Sequence, residues 1–462
     1  MAWPAETHPA PITAHDDRSR ALELLRRHGF DVTSFQLLAP GYRYFFDEDG
    51  FVAYVDTGSA WVAGGGPVAS HARRPVLAKA FAAAAARHRR RASFFAVGEL
   101  FCDRTSLPRI RVGEQPYWDP SRWSEVLAAN ASLRYQVRRA LAKHVVVRRV
   151  PAAEIADTAS TTRRGIEALA RAWLDARPLA PMGFLVELAP FALPEERLYL
   201  VAEAAGVVVG FLAAVPIYAR DGWLVENLLR VHDAPNGTAE LLVDGAMRIA
   251  AESGSRMLTL GLAPLAGPLP RRLRIARAFS TPLYYFRGLH AFKSRLRPHG
   301  WEAIHVAAAP GASPWVALFD GLRAFARGSI VRFGLATIAR GPLAVLWALT
   351  LLLVVWTPAL ALAPTRPFFP SPIVQHAWVG FDVALVCALL LLCRRHRTWL
   401  AVGVAVTVTL DALATALEAA TFNVHHARNA LDVALILVAC TGPTVAAIAL
   451  WGFVRRRFVV QP

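Results

Sequence analysis

Cysteine is scarce in this 462-residue chain. The four present are Cys102, alone in the first half, and Cys387, Cys393 and Cys440, which sit in apolar C-terminal segments. None forms a CxxC pair, so no disulfide framework is written into the sequence, and a reduced, cytoplasm-facing protein is expected. Acidic residues are also few, 34 against 51 Lys and Arg, and the net charge of +17 favours polyanionic partners, either anionic lipid headgroups or nucleic acid. An apolar leader is missing as well. The N-terminus runs through Glu6, His8, His15, Asp16 and Asp17, so no signal peptide is expected and the first half should stay in the cytoplasm. HExxH, Walker and GxSxG patterns are absent, and His425-His426 has no companion at ligand spacing; no metal and no cofactor are expected.

What is abundant is apolar sequence, and it is unevenly placed. Hydrophobic residues make up 55% of the chain, with the excess after Gly341. Four stretches, Leu343–Ala363, Val374–Cys393, Trp399–Ala420 and Leu431–Val454, approach the roughly 20 residues a helix needs to cross a hydrocarbon core. Arg327, Arg332 and Arg340 precede the first, Arg394, Arg395 and Arg397 join the second to the third, and Arg455–Arg457 follow the last, whereas the other two loops carry only Arg366 and Arg428. By the positive-inside rule both ends of the bundle face the cytoplasm. Trp378, Trp399 and Trp451 suit interfacial anchors. Asp382, Asp411, Glu418 and Asp432, with His376, His425 and His426 towards the outer ends, admit two readings, a headgroup or ion site and plain inter-helix hydrogen bonding.

The first 310 residues show a doubled pattern. After a short helix over Ser19–His28, strands are predicted at Tyr42–Phe46, Phe51–Val55 and Ala60–Ala63, a helix at Arg74–Arg87 and a strand at Phe94–Val97. The order returns as a helix near Thr161–Ala176, strands at Leu198–Ala202, Val207–Val215 and Trp223–Leu228, a helix at Thr238–Ala251 and a strand at Met257–Leu260. Strand pairs feeding a helix and a further strand suggest α/β (α+β) tandem N-acetyltransferase-like modules followed by an all-α four-helix transmembrane region. The expected division is residues 1–150 and 151–310 for the modules, 311–340 for a basic linker and 341–455 for the spans. Where such a fold usually has a glycine-rich pyrophosphate loop, this chain has Arg230-Val-His-Asp233-Ala-Pro-Asn236-Gly237-Thr238, with one glycine. That weighs against coenzyme A.

Five fragments in order carry a resemblance: Ser132-Leu-Arg134-Tyr-Gln136-Val-Arg138-Arg139-Ala140, Arg171-Ala-Trp173-Leu174, Asp233-Ala-Pro-Asn-Gly237, Leu260-Gly-Leu-Ala-Pro-Leu265, and Phe286-Arg-Gly-Leu289 with Phe292-Lys293. From Phe45 to about Trp301 the chain resembles the C-terminal synthase domain of the phosphatidylglycerol lysyltransferase family, the multiple peptide resistance factors. The resemblance implies a tandem acetyltransferase-like fold, a bacterial inner-membrane location, aminoacyl-tRNA as donor and a membrane lipid such as phosphatidylglycerol as acceptor. Two departures stand out. Family members carry an Asp three residues before the Arg of the central strand, whereas Arg230 is preceded there by Asn227, with Glu226 adjacent. They also carry a flippase bundle before the synthase domain, whereas here a small bundle follows it.

Aminoacyl transfer to a hydroxyl needs a proton acceptor and stabilisation of a tetrahedral oxyanion. Glu226 is the candidate base or amine-binding acid, Arg230 the candidate cation, and Asp233 a third candidate catalytic residue beside the loop. Asn236 and Gly237 either position substrate or build the turn. Arg134 and Arg138 share a helix face, Arg139 and Lys143 a second, and with Arg87, Arg89, Arg90 and Arg91 they suit a tRNA backbone or anionic lipid. Trp173 and Lys293 complete the expected substrate-binding set, Lys293 as a grip on phosphate. Two alternatives remain from the residues alone: an acyl-CoA-dependent N-acyltransferase acting on a lipid or peptide amine, and a noncatalytic lipid-sensing membrane protein.

Overall fold

The computed structural model of the protein describes residues 13–177, 179–280, 286–340, 342–362, 369–394, 398–426 and 430–454. Helix α1 (Thr13–His28) leads into strands β1 (Arg43–Asp47), β2 (Gly50–Asp56) and β3 (Ala60–Gly64), helix α2 (Arg74–Arg87), β4 (Arg91–Gly98), α3 (Glu99–Thr105) and β5 (Arg109–Tyr117). Helices α4 (Trp123–Ala129) and α5 (Ala131–Ala142) connect to β6 (Val146–Val150), α6 (Ala152–Ala156), α7 (Thr161–Asp175), β7 (Leu198–Ala204), β8 (Val207–Ile217), β9 (Gly222–Arg230), α8 (Thr238–Glu252) and β10 (Met257–Thr259). Then come β11 (Ala263–Pro264), α9 (Arg271–Ser280), α10 (Phe286–Arg295), β12 (Gly300–Ala308), α11 (Pro314–Phe325) and α12 (Ile330–Arg340).

Local sequence explains most of these elements. Helix α2 carries Pro75 in its first turn, where the missing N–H costs nothing, and buries Leu77, Phe81, Ala84 and Ala85 at helical spacing. The Asn130 side chain accepts from the Leu133 N–H and caps α5. Strand β3 is buried along its whole length, as a central strand covered on both faces must be.

The two sheets do not divide the chain at residue 150. The first runs β1-β2-β3-β4-β12-β5-β11, and the second β10-β9-β8-β7-β6. Strand β12, from the far end of the expected second module, inserts antiparallel between β4 and β5 and completes the first sheet. A bridge between Trp118 and Leu258 ties the two sheets together. Phe35, Phe51 and Val62 share a buried core with Val215, Ile217 and Leu224, so both modules pack on common apolar ground. Residues 314–325, expected in a linker, form a helix whose Asp320 is buried and paired with Arg91 at 2.6 Å.

The C-terminal unit contains helices α13 (Pro342–Leu362), α14 (Pro372–Arg394), α15 (Thr398–Glu418) and α16 (Ala430–Val454). Among the described residues, two helical stretches, Pro372–Cys393 and Trp399–Asn423, are long and apolar enough to cross a membrane. Shorter apolar stretches cover Leu349–Leu362 and Ala439–Gly452. Thr357 donates to Asp382 at 3.5 Å and Trp378 to Glu418 at 2.9 Å, which are bonds between helices, whereas Thr415 donates to Asp411 at 3.4 Å within α15. Arg366, Arg395, Arg397, Arg428 and Arg455–Arg457 lie outside the described residues, as does the side chain of Asp432.

Candidate functional site

Strand β9 carries the residues expected to do the chemistry. Its pairing with β8 is regular at both ends and slips in the middle, where Ala213 faces Asn227 and Ala214 faces Val225. Glu226 is therefore the extra residue of a β-bulge, a distortion that takes its side chain out of the ladder's alternation and aims it separately. The carboxylate meets Arg197, and the two side chains are only 9% and 5% exposed. Asn227, itself buried, donates its side-chain amide to Glu226 Oε2 at 2.9 Å. The Arg197 guanidinium also donates to the Ala192 carbonyl at 2.7 Å and lies 5.2 Å from the Phe35 ring.

Phe35, Leu38, Phe184, Leu185 and Leu193 wall the slot in which this pair sits. Its free interior is about 10 Å³, room for about one water molecule. Arg18 reaches the rim, and its Nε and Nη2 are buried without a hydrogen-bond partner among the described residues. Two guanidiniums, of Arg18 and Arg197, and two carboxylates, of Glu226 and Glu187, thus line a largely apolar slot.

The other expected residues divide into two groups. Arg230, Asp233 and Asn236 are exposed at the end of β9 and in the loop that follows, where Arg230 donates to the carbonyls of Val231 and His232, at 3.4 and 3.3 Å. They surround the loop, but no direct contact joins them to Glu226. Gly237, by contrast, is structural. Its φ is +95°, and a Cβ there would stand 2.0 Å from the Gln136 carbonyl oxygen, so only glycine lets α8 begin so close to α5.

Lys293 does not offer a surface charge. It is buried on α10 and its Nζ donates to the carbonyls of Leu260, Gly261 and Leu262 at 2.8, 2.8 and 2.9 Å, which uses all three ammonium donors. Burial pushes it down to about 7. A phosphate grip at Lys293 is replaced by a joint between two chain segments. Arg134 is likewise committed, to the carbonyls of Leu127 and Ala128 at the end of α4, so the expected ridge reduces to Arg138, Arg139 and Lys143. Arg90 and Arg91 pair with Asp56 and Asp320. Trp173 is half-buried, with the Arg177 guanidinium 3.7 Å over its ring.

Sequence reasoning missed Arg197, because no local pattern marks a partner 29 residues away on another element. It also missed Glu114, buried on β5, which meets His290 Nε2 at 3.1 Å and Arg111 at 2.7 Å. Long-range ion pairs leave no periodic trace in a sequence. Among the described residues no group of three His, Cys, Asp or Glu could hold a metal ion.

Comparison with known proteins places the chain. Its fold is that of the C-terminal domain of a candidate lysylphosphatidylglycerol synthetase of Agrobacterium fabrum, at TM-score 0.59 and 22% identity, over 69% of this chain and 99% of that one. The L-PGS structure from Bacillus licheniformis superimposes at TM-score 0.57 with 18% identity, over 67% of this chain and 96% of that one. A phosphatidylglycerol lysyltransferase of Bacillus subtilis (strain 168) is 27% identical over 146 residues, 28% of this chain; the match spans only 16% of that relative's length. Residues 22–308 match the profile described as phosphatidylglycerol lysyltransferase, C-terminal, a stretch that contains both sheets and the Glu226–Arg197 pair, and the chain therefore belongs to that family of transferases.

Proposed function

We propose that this protein moves an aminoacyl group from aminoacyl-tRNA to a membrane lipid, phosphatidylglycerol or a relative. The observation that carries the reading is the buried Glu226 carboxylate of the family-matched region, aimed by a bulge into an Arg-lined slot. In the reaction the lipid hydroxyl oxygen attacks the ester carbonyl carbon, the bond from that carbon to the tRNA ribose oxygen breaks, and the hydroxyl proton ends on the ribose oxygen. A tetrahedral oxyanion forms on the way and needs positive charge close by.

Both bonds described for Glu226 fall on Oε2. Oε1 is the oxygen available to the ammonium of the transferred amino acid, and an Arg-paired carboxylate suits that task better than proton abstraction. Arg197 holds Glu226 in place, while Arg18, with its unbonded N–H groups, suits an anion such as the lipid phosphate. Arg230 and Asp233 stand at the loop where the donor's end would arrive, and exposed Arg138 and Lys143, with half-buried Arg139, suit its phosphate backbone. The slot is too narrow for an aminoacyl group as it stands, so binding requires the segment 184–193 or α1 to shift.

The four C-terminal helices are read as membrane spans with both ends in the cytoplasm, on the strength of the two long apolar stretches and the arginines between and beyond them. Against the coenzyme A alternative stands the start of α8, where the single glycine of the loop is closed against α5.

Lipid mass spectrometry on cells making the wild type or a Glu226→Gln, Arg230→Ala variant tests the activity. Lipids heavier by one amino-acid residue, present only with the wild type, are the expected result. Their absence from cells rich in phosphatidylglycerol, together with failure of the purified protein to form such a lipid from charged tRNA, overturns it.

A further inference from the structure

Helix α11 is amphipathic in an unusual sense: one face is buried and the other is also apolar. Ala317, Asp320, Gly321 and Ala324 pack inward, so closely that a Cβ at Gly321 would lie 2.5 Å from the Phe95 ring. The outward stripe is Val316, Phe319 and Leu322, which are 40%, 52% and 51% exposed. Three large apolar side chains on one exposed helical stripe have no purpose in water and mark a contact surface.

Its neighbour supplies charge. The guanidinium of Arg272, on α9, lies 5.4 Å from the ring of Trp315 at the start of α11, so the two helices meet at that point. Helix α9 reads Arg-Arg-Leu-Arg-Ile-Ala-Arg-Ala-Phe-Ser and contains no acid. Leu273 anchors it in the core, Arg271, Arg272 and Arg274 are exposed, and Ile275 is 48% exposed among them. The combined patch is an apolar stripe bordered by cations.

We infer that α9 and α11 form a docking face for an anionic lipid surface, with Val316, Phe319 and Leu322 entering the headgroup and acyl boundary and Arg271, Arg272 and Arg274 meeting lipid phosphates. Apolar burial and attraction to anionic headgroups are the two terms that hold an interfacial helix, and both are present here. Chain connectivity points the same way. Only 16 residues separate the end of α11 from Pro342, the start of the first apolar C-terminal helix, and Ile330 and Val331 within that interval are 39% and 74% exposed. RNA would be drawn to the arginines, but it has no use for the stripe. The inference rests on the membrane placement proposed above and adds to it a specific surface by which the soluble unit lies on the leaflet.

The test uses the full chain reconstituted in phosphatidylcholine vesicles with or without phosphatidylserine, an anionic lipid chosen because it is not the proposed acceptor. A nitroxide is attached at Phe319→Cys in a Cys387→Ser, Cys440→Ser chain, and its collisions with oxygen and with a water-soluble nickel chelate are compared by electron paramagnetic resonance. Oxygen-dominated collisions in phosphatidylserine vesicles, falling several-fold towards the aqueous pattern in an Arg271→Glu, Arg272→Glu, Arg274→Glu background, are expected. An aqueous pattern at Phe319→Cys in both lipids overturns the inference. So does an aqueous pattern combined with loss of tRNA binding on charge reversal, which would make the face an RNA surface. The readout needs no turnover, so a chain that docks but forms no aminoacylated lipid refutes the proposed activity and leaves the docking face intact.

Discussion

Asn227 donates its side-chain amide to the Oε2 of Glu226, its own neighbour along β9, at 2.9 Å. Adjacent strand residues ordinarily point to opposite faces, and the bulge is what allows the two side chains to meet. An amide stands three residues before Arg230, and the acid is carried one position earlier, on the bulged residue. Asn227→Asp sets a second carboxylate against Glu226 in a buried site. It should destabilise the protein by about 1–3 kcal/mol, read as a lower thermal midpoint, because a hydrogen bond becomes a like-charge contact.

Arg197→Ala strips Glu226 of its buried partner. A loss of about 3–5 kcal/mol is expected, since a buried carboxylate without its cation is strongly disfavoured. Arg197→Lys keeps a charge without the fork and should recover part of the stability. If Arg197 positions Glu226, its variants raise the KM for aminoacyl-tRNA more than they lower kcat in steady-state transfer assays, and full activity in Arg197→Ala would contradict that role.

Gly237→Ala meets both a left-handed backbone and the Gln136 carbonyl. The cost should exceed about 2 kcal/mol, measured by chemical denaturation, and α5 and α8 should exchange their amide hydrogens faster than in the wild type.

Lys293 yields a signed pH dependence. Burial depresses it from an ordinary 10.5 to about 7, so between those values the unfolded chain binds more protons than the folded one. Stability therefore rises with pH across that window, and this contribution is lost as pH falls through about 7. Lys293→Met should remove that part of the slope and, by leaving three carbonyls without their donor, lower stability by about 3 kcal/mol or more. Thermal unfolding of both proteins from pH 6 to 10 checks the sign.

Arg138→Glu, Arg139→Glu should weaken tRNA binding about ten-fold or more and flatten its salt dependence, while leaving the thermal midpoint nearly unchanged. Arg134→Ala should do the reverse, because its guanidinium closes the end of α4. Filter binding across a salt series separates the two.

These contrasts trace what was legible beforehand. The α2 boundaries and the starts of β7, β8 and α8 follow from apolar periodicity and caps, which are local. Glu226 and its loop were found by position along a strand. The roles of Lys293, Arg134 and Gly237 were not legible, since each is fixed by a backbone segment that the sequence cannot show to be near. Their fragments serve as joints in this chain: Gly237 fits against Gln136, and Lys293 holds residues 260–262. Arg197 and β12 were missed for the same reason, distance along the chain.

The late insertion of β12 sets a schedule for the ribosome. Strands β4 and β5 leave the tunnel early, but the strand that belongs between them follows about 190 residues later. At bacterial elongation rates of about 5–20 residues per second the first sheet waits roughly 10–40 s with β4 and β5 unpaired on their facing edges. During that interval the nascent N-terminal half exposes sticky strand edges, so the newborn chain is a natural client for a holdase, and a ribosome stalled before residue 300 should release an aggregation-prone fragment instead of a folded first module.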